Sequence, residues 1–146
     1  MLRNLFILFK GSDEKFWLLL QDFLVDHKNG LVTTEDFINA TEAKLGGKIP
    51  WFWDQWIYGS ELPEIRWKST TEQKGGQWLV NVDARKVNSS YQLALPVYVE
   101  LQGGRRARQF LDLSGPTGHA TVKVSSKPKS VSVNDDFEVL AFVEKE

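Results

Sequence analysis

A chain of 146 residues is long enough for one ordinary domain or two small ones, and at this size roughly 70% of the unfolded surface is buried without help from metals or disulfides. Composition is globular, 42% hydrophobic and 25% charged, with a 12% aromatic share that includes six tryptophans. Formal net charge is −1, so no overall field draws the chain to nucleic acid or an anionic membrane, and the absence of cysteine excludes thiolate catalysis, thiol metal sites and disulfides.

Met1 to Lys10 has the look of a short signal peptide, but its apolar run is brief and no small-residue cleavage site follows. Leu2, Leu5, Phe6 and Phe9 instead fit one face of a helix already under way at residue 1. No capping residue precedes it, which leads to the expectation that the chain begins inside a larger structure. Gly11-Ser12-Asp13 breaks this helix and caps a second, whose apolar stripe is read as Phe16, Leu19, Leu20, Phe23 and Leu24. Asn29-Gly30 stops it. Thr33 with Asp36 has the spacing of a capping box and opens a third helix, with Phe37, Ile38, Thr41 and Leu45 inward and Gly46-Gly47 at its end.

Pro50-Trp51-Phe52-Trp53-Asp54-Gln55-Trp56-Ile57-Tyr58-Gly59 then describes a short, heavily buried helix. Proline is pre-set for a first helical turn and glycine for the position past the end. After Pro63 the apolar period changes from helical to alternating, so this aromatic segment reads as the joint between a helical part and a β part.

Ile65 and Trp67 alternate with polar residues, and Gly75-Gly76 turns the chain into Trp78, Val80, Val82 and Ala84. Leu93, Leu95, Val97, Val99 and Leu101 give the cleanest two-residue period, and Gly103-Gly104 leads into Ala107, Gln109, Leu111 and Leu113. Ala120, Val122 and Val124 follow, then Val131 and Val133, then a last run from Phe137 to Val143. The expected fold is therefore α+β: a helical segment over residues 1–60, followed over 61–146 by an immunoglobulin-like antiparallel β-sandwich of about seven strands.

Candidate chemistry is sparse. Only His27 and His119 are present, with no H-E-x-x-H pair, and each reads as an ordinary terminal or turn histidine rather than a metal ligand. Asp135 and Asp136 after Asn134 could face a calcium ion, but a strand-connecting turn explains them better. Arg105, Arg106 and Arg108 form a basic patch without flanking aromatics in sequence and read as a solvated strand face. Trp51, Trp53 and Trp56 could line a sugar-stacking pocket; core packing is the stronger reading. The Asn39-Ala40-Thr41 and Asn88-Ser89-Ser90 triplets match glycosylation acceptors by pattern only.

The run Trp51-Phe52-Trp53-Asp54-Gln55-Trp56-Ile57-Tyr58-Gly59 with Pro63, leading into a strand through Trp67, resembles the end of the catalytic domain in zinc aminopeptidases of the aminopeptidase N type (gluzincins). Met1-Leu2-Arg3, Lys15-Phe16-Trp17 and Thr33-Thr34-Glu35-Asp36-Phe37 are similar to the helices before that pattern, and Val133-Asn134-Asp135 with Val139-Leu140-Ala141 to the close of the sandwich after it. The resemblance implies a zinc-dependent parent, but the family's H-E-x-x-H, its Gly-x-Met-Glu-Asn-like loop and its oxyanion tyrosine have no counterpart here. No catalytic, cofactor-binding or metal residue is carried over, and no cofactor is expected in this chain; zinc belongs to the presumed parent. The expected role is a non-catalytic scaffold segment, whose partner is the remainder of the parent catalytic domain or another copy through the helical face, with no nucleic acid and no membrane. The alternatives are an autonomous β-sandwich binding module and a regulatory, non-catalytic relative of the peptidases.

Overall fold

In the computed structural model, which describes residues 2–9 and 13–146 (the side chains of Arg3 and Asp13 aside), the order is helical first and then β. Helices α1 (Leu2–Leu8), α2 (Asp13–Asp26), α3 (Thr34–Leu45) and α4 (Pro50–Trp53) come first, α4 widening into a π-helical turn over Asp54–Tyr58. Strands β1 (Glu64–Lys74), β2 (Gln77–Lys86), β3 (Leu93–Leu101), β4 (Arg106–Leu113), β5 (Thr117–Val124), β6 (Pro128–Val133) and β7 (Phe142–Lys145) follow. The chain divides into two compact units, Met1–Ser60 and Glu61–Glu146. The architecture is α+β, with the strands in a four-stranded sheet ordered β5-β2-β1-β7 and a three-stranded sheet ordered β4-β3-β6.

In the helical unit, the expected cap of α2 at Gly11-Ser12-Asp13 lies outside the described residues. The cap of α3 is described in full. The Thr33 hydroxyl accepts from the Asp36 N–H at 3.2 Å while the Asp36 carboxylate accepts from the Thr33 N–H at 2.8 Å, and Gly46 closes the helix in the left-handed region. These bonds, the backbone one first, hold the Asp36 carboxyl below its ordinary range. Leu5, Phe9, Phe16, Leu19, Phe52 and Trp53 form the buried core, with half-buried Phe6, Phe37, Trp51 and Trp56 packed against it. Edge-to-face contacts such as Phe52–Trp53, with ring centroids 5.1 Å apart, fill it with aromatic area. Glu42 ties α3 to the aromatic helix: its Oε1 accepts from the Ile49 N–H and the Trp53 indole N–H, both at 3.0 Å. Those two donors, Ile49 first, hold its carboxyl below the usual range.

Two expectations for this unit need correction. Leu24 is not part of the inward stripe of α2: it is 72% exposed, whereas Leu19 is 2% exposed. Five residues separate Leu19 from Leu24, and at about 100° per residue they point to opposite sides of the helix. The aromatic segment is not one uniformly buried helix either. The π turn shifts the register after Trp53, so Phe52 and Trp53 are buried, Trp56 is half-buried and Tyr58 is exposed.

In the sandwich, the alternation is carried through to burial. Ile65, Trp67, Val80, Val82, Ala120 and Val122 from one sheet and Leu93, Leu95, Val97, Val99, Leu111 and Leu113 from the other are all buried. Gly75 and Gly76 both have positive φ, 58° and 79°, and make the two-residue turn between β1 and β2 that ordinary residues resist. At the β4–β5 corner Gly118 is demanded by space. A Cβ there would lie 2.2 Å from the Asp112 carbonyl oxygen and 2.7 Å from Leu111 Cδ2.

The strand pairings are antiparallel with one exception: β7 pairs with β1 in parallel, Glu64 opposite Phe142. The last strand also starts later than its apolar run, at Phe142 instead of Phe137. Asn134 and Phe137 both take positive φ, 56° and 51°, which breaks the extended backbone. The buried Asn134 amide then clasps the loop, donating to the Val139 carbonyl at 2.8 Å and accepting from the Val139 N–H at 2.9 Å.

Candidate functional site

On a helical wheel centred on Gln21, residues Glu14, Trp17, Leu18, Leu24 and Val25 all fall within roughly 60°, and Lys28 follows in the turn after the helix end at Asp26. Phe16, Leu19 and Leu20 lie on the other side and pack into the core, and Phe23 on that side meets the Phe37 ring. Helix α2 is therefore apolar on two opposed faces, and on the outward one Trp17 is 62% and Val25 66% exposed. A surface helix ordinarily shows one apolar stripe; a helix apolar on both sides is one that is covered on both sides. The loop after it adds exposed Leu31 and Val32. This outward face is the strongest candidate functional surface of the chain, and reading Leu24 as inward concealed it. Its signal was present in the sequence, because Trp17 and Leu24, like Leu18 and Val25, are seven apart.

Beside it, an open apolar concavity of about 540 Å3 is lined by Phe23, Val32, Thr33, Phe37, Trp56 and Ile57. The π turn places Trp56 and Ile57 there. Of the three candidate tryptophans, only Trp56 lines it. Trp53 is buried with its indole N–H committed to Glu42, and Trp51 is half-buried, its ring 5.8 Å from that of Phe52.

The sandwich surface carries exposed Phe137, Leu140 and Phe142 beside charges of which several are paired within the unit. The expected basic patch is divided. Arg106 binds Asp135 and Asp136, each at 3.0 Å, and its guanidinium lies 3.7 Å from the Tyr98 ring centroid; Arg108 pairs with Glu138 and lies over Phe110 at 4.6 Å. One aromatic, Tyr98, thus arrives from the neighbouring strand β3 and the other, Phe110, from two positions along β4 itself, which corrects the reading of a merely solvated face. Tyr98 is buried, and its hydroxyl bonds the Glu138 carboxylate. Burial first, and then that bond, push its ionisation above the ordinary tyrosine range. Nothing local in the sequence pointed to this pair, forty positions apart. Asp135 and Asp136 serve a turn and these ion pairs.

His27 and His119 lie in different units. In the turn after α2, His27 Nδ1 is 2.9 Å from the Phe23 carbonyl oxygen and its ring leans on the Phe23 ring. On the outer sheet face, His119 Nδ1 is 2.8 Å from Asp83 and Nε2 is 3.1 Å from the Thr121 hydroxyl. It borders a concavity of about 600 Å3 lined by Arg66, Lys68, Asp83, Arg85 and Glu146, in which Arg66 pairs with Glu64 and Glu144, and Arg85 with Glu146. Both arginines of this concavity are thus committed to carboxylates. The donor set does not fit a zinc ion: the ring nitrogens named here already have protein partners, and among the described residues no three histidine, aspartate or glutamate side chains converge. Of the glycosylation-like triplets, Asn39 is exposed on α3 and Asn88 accepts from the Glu64 N–H at 2.9 Å. No helix among the described residues is long and apolar enough to cross a membrane.

No family model matches the chain, and no curated protein does. Among solved structures, the chain is similar to the crystal structure of Legionella pneumophila aminopeptidase A in complex with aspartic acid, at a TM-score of 0.68 and 20% identity. The match covers 99% of this chain and 17% of that one, so the chain spans about a sixth of the length of that protein. At this identity the likeness is one of fold alone: helices followed by a sandwich.

Proposed function

We propose that the chain is a non-catalytic scaffold segment of an aminopeptidase N-type zinc peptidase or a close relative. Residues 1–60 would correspond to the end of its catalytic helical domain and 61–146 to the immunoglobulin-like sandwich that follows. The observation that carries this reading is the second apolar face of α2, a surface built to be covered by further protein. The fold likeness supports it, because it spans nearly all of this chain and a small part of an aminopeptidase. The sequence supports the non-catalytic part: a peptidase of this class activates water on a metal, and no zinc-binding H-E-x-x-H occurs between Met1 and Glu146. The helices supply a wall for a larger body, and the sandwich a rigid spacer.

The test is direct. Purified chain is incubated with aminoacyl chromogenic substrates with and without added zinc, and its metal content is measured after dialysis. The expected result is turnover indistinguishable from buffer and no stoichiometric zinc. One tightly held zinc per chain together with turnover overturns the reading.

A further inference from the structure

Taking the outward face of α2 as a docking surface, as the proposed function does, we propose that in this chain it pairs antiparallel with the same face of a second copy, about a two-fold axis at Gln21. Self-complementarity on the page selects this occupant. When two α2 helices are laid head to tail with Gln21 opposite Gln21, Trp17 meets Val25 of the second copy and Leu18 meets Leu24. Exposed Lys28, in the turn just past the end of α2, then comes to the side of exposed Glu14 at each end, so the apolar centre is closed by two opposite-charge pairs. A parallel arrangement sets Glu14 against Glu14 and Lys28 against Lys28. Gln21 is exposed at the centre, and a side-chain amide both donates and accepts, so two copies satisfy each other across the axis. A two-fold interface needs such a self-complementary patch.

The contact is small. Two tryptophans and six aliphatic side chains over two turns bury on the order of 1,000 Å2, at the low end for specific association, so the dimer is weak and concentration-dependent.

Sedimentation velocity on the full chain from about 5 to about 500 µM is expected to show a reversible monomer–dimer equilibrium. Leu24→Glu is expected to weaken it by roughly 100-fold or more, and Glu14→Lys or Lys28→Glu by about tenfold each. The double swap Glu14→Lys with Lys28→Glu is expected to recover dimerisation. Because the chain has no cysteine, Gln21→Cys supplies a single thiol that oxidation should convert to a disulfide-linked dimer, whereas Lys123→Cys on the sandwich should not cross-link. A chain that stays monomeric throughout, or a double swap no better than either single one, overturns the dimer. A monomer leaves the scaffold reading in place, because the same face can be covered by the rest of a larger body, and that reading is tested separately by zinc content and turnover.

Discussion

The two units solve the same problem in different ways. In the sandwich the buried side chains of both sheets face one another, and several described surface charges pair within the unit, as in Arg106 with Asp135 and Asp136. In the helical unit a compact aromatic core coexists with large apolar side chains in solvent, Trp17, Leu24 and Val25 among them. The sandwich also leaves Phe137, Leu140 and Phe142 in solvent, on the segment that leads into β7, whereas the helical unit lines its exposed apolar side chains along one helix. That contrast, more than any titratable cluster, separates spacer from docking element, and substitutions can break or sharpen it.

The largest effect is expected at Phe52, 1% exposed at the centre of the helical core. Phe52→Ala leaves a cavity among aromatic rings and should cost about 4 kcal/mol, seen as lost hydrogen-exchange protection in α2 to α4. Protection that survives intact would show that the aromatic core is not what holds this unit. The matching break in the sandwich is Gly118→Ala. Backbone and side-chain atoms of β4 already occupy the space of the new Cβ, so the corner must open at a cost of about 3 kcal/mol, read from chemical denaturation. An unchanged midpoint would mean that the corner is slack.

Next comes Asn134→Ala, which removes both bonds to Val139 and leaves a buried backbone N–H and carbonyl unpaired. Denaturation should register about 2–3 kcal/mol, with faster exchange confined at first to residues 134–145. A loss under about 0.5 kcal/mol would show that water replaces the clasp.

How much of this was legible beforehand depends on how local each cause is. Thr33 and Asp36 are three positions apart and make their capping box within one turn, so the pattern sufficed. Strand alternation from Leu93 to Leu101 needed only a period, and the buried odd-numbered residues follow it. The failures have longer-range causes. Nothing near Phe137 announces a positive φ; the loop is fixed by Asn134 reaching Val139 and by Glu138 reaching Tyr98 and Arg108. The parallel arrival of β7 is likewise a pairing between residues nearly eighty positions apart. For the candidate site the information was present but ambiguous. Helix α2 is so rich in apolar residues that a single stripe could be drawn to include Leu24, and only the packed core decides which face is inward.

A smaller, pH-dependent effect is expected at Glu42. Its folded-state carboxyl lies below the ordinary value of 4.5, so its contribution is complete above that value and is lost as pH falls through the lower folded one. Glu42→Gln keeps an acceptor for Ile49 and Trp53 but removes the charge. The variant should melt below the parent at neutral pH, with the gap closing as the pH is taken below about 4.5. A gap that stays constant down to pH ~3 would assign the role to shape rather than charge.

The smallest expected change is the one that most sharpens the contrast. Leu24→Ser and Leu19→Ser make the same chemical substitution on one helix, five residues apart. At Leu19, 2% exposed, a hydroxyl replaces an isobutyl group inside the core, and about 3 kcal/mol should be lost. At Leu24, 72% exposed, little folded-state contact is given up, and the midpoint should move by less than about 0.5 kcal/mol when measured dilute enough for the chain to be monomeric. The concentrated sample is where Leu24→Ser should differ from the parent, by losing self-association while keeping its helical circular dichroism. Equal losses of stability at the two positions would mean that Leu24 is already covered within the chain. The outward face of α2 would then be an ordinary part of the helical unit, and nothing would be left for a partner to complete.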